Sequence, residues 1–152
     1  MSKHSIKLGV VHTRRNIDSD FFCNVDIAKA NKDATEAKLK AMGIAFVNID
    51  FVDPPGMINS GLAAQAVADY MIQQKVDALF TPHCNYGTED AVAKIGKLVG
   101  KPLLLWAPRD PAPGPYGMRA TDSQCGVMAT GKVLRQFGVP FTYMTNCNPD
   151  DE

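Results

Sequence analysis

A chain of 152 residues, 45% hydrophobic and 21% charged, has the composition of one globular domain able to bury a core without disulfide staples. Its 16 basic and 16 acidic residues cancel, and no basic stripe with interleaved aromatics occurs, which argues against nucleic acid as a partner. No apolar run approaches the roughly 20 residues of a membrane span and MSKHSIK lacks the apolar stretch of a signal peptide, so the expectation is a cytoplasmic protein with no membrane partner.

In chain order, IKLGVVH (residues 6–12) is the first predicted strand, followed by the loop HTRRNIDSD with its two arginines. Ala28, Thr35, Leu39 and Met42 share one face of a helix that leads to the second strand, IAFVNID (44–50). A second helix aligns Ala63, Ala66, Val67, Tyr70 and Met71 before the third strand, VDALFT (76–81), and the loop TPHCNYGTED. A third helix carries Ala91, Val92, Ile95, Leu98 and Val99, then comes PLLLWA (102–107) as fourth strand. The loop APRDPAPGPYGM holds four of the ten prolines and runs into RATDSQCG, the start of a fourth helix, before the fifth strand PFTYMT (140–145).

Most of these strands are apolar or β-branched throughout, as expected where a parallel sheet is covered on both faces. KLVGKPLLLW and RQFGVPFTYM repeat one punctuation: a helix, a glycine to cap it in the left-handed region, one residue, a proline, a strand. The alternation predicts a single doubly wound α/β domain over 1–152, a three-layer, Rossmann-like fold with a five-stranded parallel sheet in the flavodoxin-like order 2-1-3-4-5. After the fifth strand only TNCNPDDE follows, with no fifth helix. The expectation is that the chain is a segment of a longer polypeptide, or that a partner covers that flank.

Ligands of such sheets bind beyond the carboxyl ends of the strands. The loops there gather Arg14, Arg15, Asn85, Tyr86, Arg109, Asp122, Ser123 and Gln124, which are the candidate ligand contacts. Arginine forks and amides suit a small polyhydroxylated or anionic ligand. No flavin phosphate loop, GxGxxG, Walker motif, receiver carboxylate set, GxSxG or HExxH is present, and no complete catalytic set is visible. His12 and His83 lack carboxylate neighbours at metal-ligand spacing. Structural roles compete at several positions: Arg14 or Arg15 pairing with Asp18 or Asp20, Thr88 and Asp122 or Ser123 as helix N-caps, Trp106 in the core, and Gly126 and Gly131 at close packing contacts. Cys23, Cys84, Cys125 and Cys147 are too widely spaced for a CxxC site and read as free thiols, Cys125 at a helix start.

NYGTEDAVAKI, GKPLLLWAPRD and RATDSQCGVMATGKVLRQFGVPFTYM, in that order and with HTRRNIDSD ahead of them, resemble the amino-terminal domain of the L-fucose/L-arabinose isomerase family over nearly the whole chain. The resemblance implies an aldose–ketose isomerase that uses a divalent metal, usually manganese, to move a hydrogen between C1 and C2 through an enediol. It also implies that the catalytic carboxylates and metal ligands lie in later domains, so this chain alone would bind no metal and be inactive. Its part would be to shape the sugar pocket, commonly a neighbouring subunit's, and to build contacts of a homo-oligomer and with the carboxyl-terminal catalytic domains. Arg14 and Arg15 match a family position that reaches the sugar, and Asn85 and Tyr86 match another. The rival expectations are a free-standing flavodoxin-like small-ligand-binding or assembly module, and an independent enzyme with Cys125 or Cys84 as nucleophile.

Overall fold

The computed structural model describes residues 6–144 and 147–151. Thr145, the end of the fifth predicted strand, lies outside them. The elements are β1 (Lys7–Val10), α1 (Val25–Ala41), β2 (Ala45–Val47), the single turn α2 (Asp53–Gly56), a 3-10 turn (Gly61–Ala63), α3 (Ala64–Gln73), β3 (Ala78–Pro82), α4 (Glu89–Val99), β4 (Leu103–Trp106), a 3-10 turn (Pro115–Gly117), α5 (Ser123–Gln136) and β5 (Thr142–Tyr143).

The five strands form one parallel sheet in the order β2-β1-β3-β4-β5, as the sequence predicts. Side chains alternate across it and sort the core into two layers. Val11, Leu79, Leu103 and Leu105 face α3, α4 and α5, whose Val67, Met71, Ile95, Val127 and Leu134 are buried against them. Val10, Phe80 and Trp106 face the other way, toward Leu39 of α1. Trp106 is therefore core, with its ring 5.9 Å from that of Phe80.

Local chemistry sets the ends of these helices. The Asn24 side chain accepts from the Ile27 N–H at 2.9 Å to start α1. Gly100 and Gly138 both stand in the left-handed region, at φ 64° and 67°, where the repeated glycine–proline punctuation places them. All three predicted faces shift by a residue or so: Met42, Ala66 and Leu98 are exposed, and the buried stripe of α3 is Ala64, Val67, Ala68 and Met71. At the sheet's edge β5 departs from the two-sided burial expected of it, because Thr142 and Tyr143 are exposed. Among the described residues only α1 of the long helices packs on the Phe80 side, leaving an apolar groove of about 290 Å3 lined by Leu8, Leu39, Leu104, Trp106 and Met144. Among the described residues, no helix is long and apolar enough to cross a membrane.

Candidate functional site at the carboxyl edge of the sheet

The strand order reverses between β1 and β3, and the two chains leave the sheet there side by side. Pairing persists past the ladder: the Val11 and Thr13 N–H groups donate to Phe80 and Pro82, and Cys84 N–H donates to Thr13 at 3.0 Å. Thr13 Oγ1 donates to the Ile58 carbonyl at 3.1 Å and accepts from the Thr88 N–H at 2.9 Å. This lattice puts Arg14 and Arg15 beside Asn85 and Tyr86.

Asn85 is fully buried, and its hydrogen bonds are internal. Its Oδ1 accepts from the Arg15 N–H at 2.8 Å and from the Gly87 N–H at 3.3 Å, and its Nδ2 donates to the Cys23 carbonyl at 3.1 Å. One amide thus ties both ends of the loop after β1. Arg15 bonds Glu89 at 2.6 Å rather than Asp18 or Asp20, and its guanidinium lies 4.8 Å over the Tyr86 ring. Arg14 Nη1 donates to the Arg15 carbonyl at 3.1 Å, but Arg14 Nε is buried with no partner among the described residues. A buried donor without an acceptor is costly unless something outside this network meets it. Thr88 does occupy the N-cap position of α4, yet its hydroxyl donates to the Arg14 carbonyl at 2.8 Å instead of capping the helix.

The loop after β4 reaches the same region through α5. A Cβ built on Gly126 would sit inside the Tyr86 carbonyl and 2.9 Å from Tyr86 Cα, so the absent side chain is what lets the start of α5 lie on the loop after β3. Asp122 holds the N-cap position of α5 without a side-chain cap bond; Asp110 supplies the acceptors instead. Ser123 lies between Asp110 and the Pro108 carbonyl, and Gln124 donates to Ala107 and Pro108 while accepting from Tyr143 Oη at 2.9 Å. Ser123 and Gln124 therefore spend their polar groups on the fold. Arg109 joins the tail rather than the arginine cluster, pairing with Asp151 while its N–H donates to Asn148 at 2.9 Å.

Beneath the crevice lies a buried polar cluster that sequence reading did not assemble, in which His12 does have a carboxylate neighbour, Glu36. His12 is wholly buried, with Nδ1 at 3.5 Å from Cys84 Sγ and Nε2 at 3.3 Å from Glu36 Oε1, too poorly aligned there for a good hydrogen bond. Lys32 Nζ bridges Glu36 at 3.1 Å and Asp50 at 2.9 Å, and Asn48 donates to Glu36 at 3.1 Å. The signal for it was present in the sequence, since Lys32 and Glu36 fall within the apolar stripe of Ala28, Thr35 and Leu39. The neighbouring His12 contact is the largest influence holding Glu36 down at a pKa of about 2; burial opposes it, and Lys32 and Asn48 add to it. Burial lowers the pKa of His12 despite Glu36, and burial brings His83 down to about 4 against the opposing backbone contacts with Thr81 and Trp106.

Cys84, His12 and Glu36 stand in the sequence of contacts a thiol nucleophile would use, but Cys84 is buried and burial pushes its thiol far up. Cys125 is the exposed cysteine, and the neighbouring Asp122 carboxylate raises its pKa as well. Alkylation at neutral pH should therefore label Cys125 while sparing Cys84 and Cys23 until urea unfolds the chain. Mass mapping that finds Cys84 modified in the folded protein would reverse this assignment. Among the described residues no group of three or more His, Cys, Asp or Glu side chains is placed to hold a metal ion.

The profile of the family described as fucose/sulfoquinovose isomerase, N-terminal domain, matches residues 9–152. No curated protein sequence matches the chain. Among solved structures, an azoreductase from Bacillus anthracis str. Sterne is similar at 14% identity over 91% of this chain and 85% of that one, with a TM-score of 0.40. An ABC transporter solute-binding protein from Bacillus halodurans C-125, solved with bound myo-inositol, is similar at 10% identity over 94% of this chain and 56% of its own, with a TM-score of 0.41. Neither likeness bears on what this chain binds.

Proposed function

We propose, from the premise that this chain belongs to the family of fucose/sulfoquinovose isomerase N-terminal domains, that it forms a non-catalytic wall of the sugar pocket in a metal-dependent aldose–ketose isomerase. The metal, its ligands and the proton-shuttling carboxylates then belong to other domains of the subunit, and the pocket is completed in a homo-oligomer. When bound there, the divalent metal supplies Lewis-acid polarisation of the sugar's oxygens. What this chain contributes is orientation.

The observation that carries the reading is Arg14. Its Nε, buried and without a partner among the described residues, lies at the strand-order reversal, next to Arg15 and the half-buried Tyr86. Arg15 is neutralised by Glu89, whereas Arg14 has no carboxylate partner among the described residues. A guanidinium with no carboxylate partner suits sugar hydroxyls and, more strongly, anionic oxygens such as the sulfonate of sulfoquinovose. Tyr86 offers an apolar face for a sugar ring.

The test is to assay the whole natural subunit with manganese on L-fucose, L-arabinose and sulfoquinovose, beside Arg14→Ala. Arg14→Ala is expected to raise KM by about tenfold or more with kcat little changed, as loss of one charged hydrogen-bonding group to substrate does. The 152-residue chain alone should turn over none of them. Absence of isomerisation by the whole subunit, or an unchanged KM in the variant, would sink the reading.

A further inference from the structure

We propose that Asp110 is the positioning residue of the loop after β4: its carboxylate latches residues 108–122 to the start of α5 and so holds that loop against the loop after β1. Thr121 Oγ1 and the Ser123 N–H both donate to Asp110 Oδ1 at 2.6 Å, and the Gln124 N–H donates to Oδ2 at 3.2 Å. Ser123 Oγ stands 2.6 Å from the same Oδ1 and 3.0 Å from the Pro108 carbonyl, its one proton serving either. The first free N–H groups of α5 are thus met by a negative charge, the favourable sign at a helix amino terminus. That charge comes not from the adjacent Asp122 but from 13 positions before Ser123. Burial works against ionisation of Asp110, yet the bonds from Ser123, Thr121 and Gln124 hold its pKa below the ordinary value.

The latch closes a loop, and the closed loop meets a second one. Ala120, next to the latched Thr121, accepts from the Asn24 N–H at 2.8 Å, and Asn24 is the residue that caps α1. Between the two fastened ends, Pro111, Pro113 and Pro115 restrict the backbone, so fixing the ends fixes the shape. Asp110 therefore sets where the loop after β4 stands relative to the loop that carries Arg14 and Arg15. The inference rests on the sugar-pocket reading only in calling this loop a wall of that pocket.

Amide hydrogen exchange on the sugar-free chain tests it with Asp110→Asn, which keeps the size of the side chain, removes its charge and turns one acceptor into a donor. The expected result is exchange about tenfold or more faster at Ser123 and Gln124, together with faster exchange at Asn24, while Leu79, Phe80 and Leu105 in the sheet keep their rates. Acceleration at Ser123 and Gln124 alone, with Asn24 unchanged, reduces Asp110 to a helix cap and overturns the proposal, as does no acceleration anywhere. Should Asp110→Asn fail to fold, Thr121→Val removes one donor and must give the same pattern, weaker. Failure of the sugar reading would leave these rates untouched, so the two ideas fail separately.

Discussion

Gly126→Ala is expected to lower the melting temperature by roughly 6–12 °C, corresponding to about 3 kcal/mol or more. In an ordinary helix interior the same change stabilises by roughly 1 kcal/mol, because alanine has the better propensity. Here the added methyl meets main chain, not a side chain that can swing away: it would fall inside the Tyr86 carbonyl. Either α5 or the loop after β3 must move, and that loop carries Asn85, whose amide ties down both ends of the loop after β1. Gly131→Ala in the same helix is the control. Its nearest neighbour is the Phe141 ring at 3.1 Å, on a side chain that can give, so its expected effect stays within about 1 kcal/mol of zero. A scanning-calorimetry melt of Gly126→Ala that matches wild type would show that the close approach is not real.

Lys32→Met is expected to cost about 3 kcal/mol in urea unfolding at neutral pH, because it removes the buried cation beside Glu36 and leaves that carboxylate only the exposed Lys40 at 3.8 Å. Lys32 and Glu36 side chains are only 8% and 10% exposed, so little solvent screens them, whereas Asp50 at 58% reaches water and loses less. Adding Glu36→Leu should restore part of the loss, since the cost lies in the unpaired charge. Glu36 also contributes to the acid limb of stability. Glu36 has a folded pKa of about 2 against an ordinary 4.5, so its contribution is complete above about 4.5 and drains away as the pH falls through that interval toward 2. Glu36→Gln should flatten that limb. A Lys32→Met variant with an unchanged unfolding midpoint, or a Glu36→Gln variant with the wild-type acid limb, would refute the network's role.

The sequence by itself determined the layout of the fold. Strand and helix patterns are written in neighbouring residues: the apolar runs LGVV and LLLW mark strands covered on both faces, and the glycine–proline punctuation stops two helices where the backbone turns left-handed. Order 2-1-3-4-5 follows from those elements and the handedness of their connections. It also placed the polar loops at one edge, because every parallel strand ends there. What only the tertiary structure decided is how those loops use their polar groups. Asp110 reaches Ser123, Asn85 reaches Cys23 and His12 meets Glu36 across gaps in the chain that no local pattern encodes. Whether a polar side chain caps a helix, bridges two loops or is left without an acceptor depends on which distant backbone groups folding brings within hydrogen-bond reach. For that reason Ser123 and Gln124 spend their bonds on the fold, while Arg14 keeps a buried Nε–H with no acceptor among the described residues.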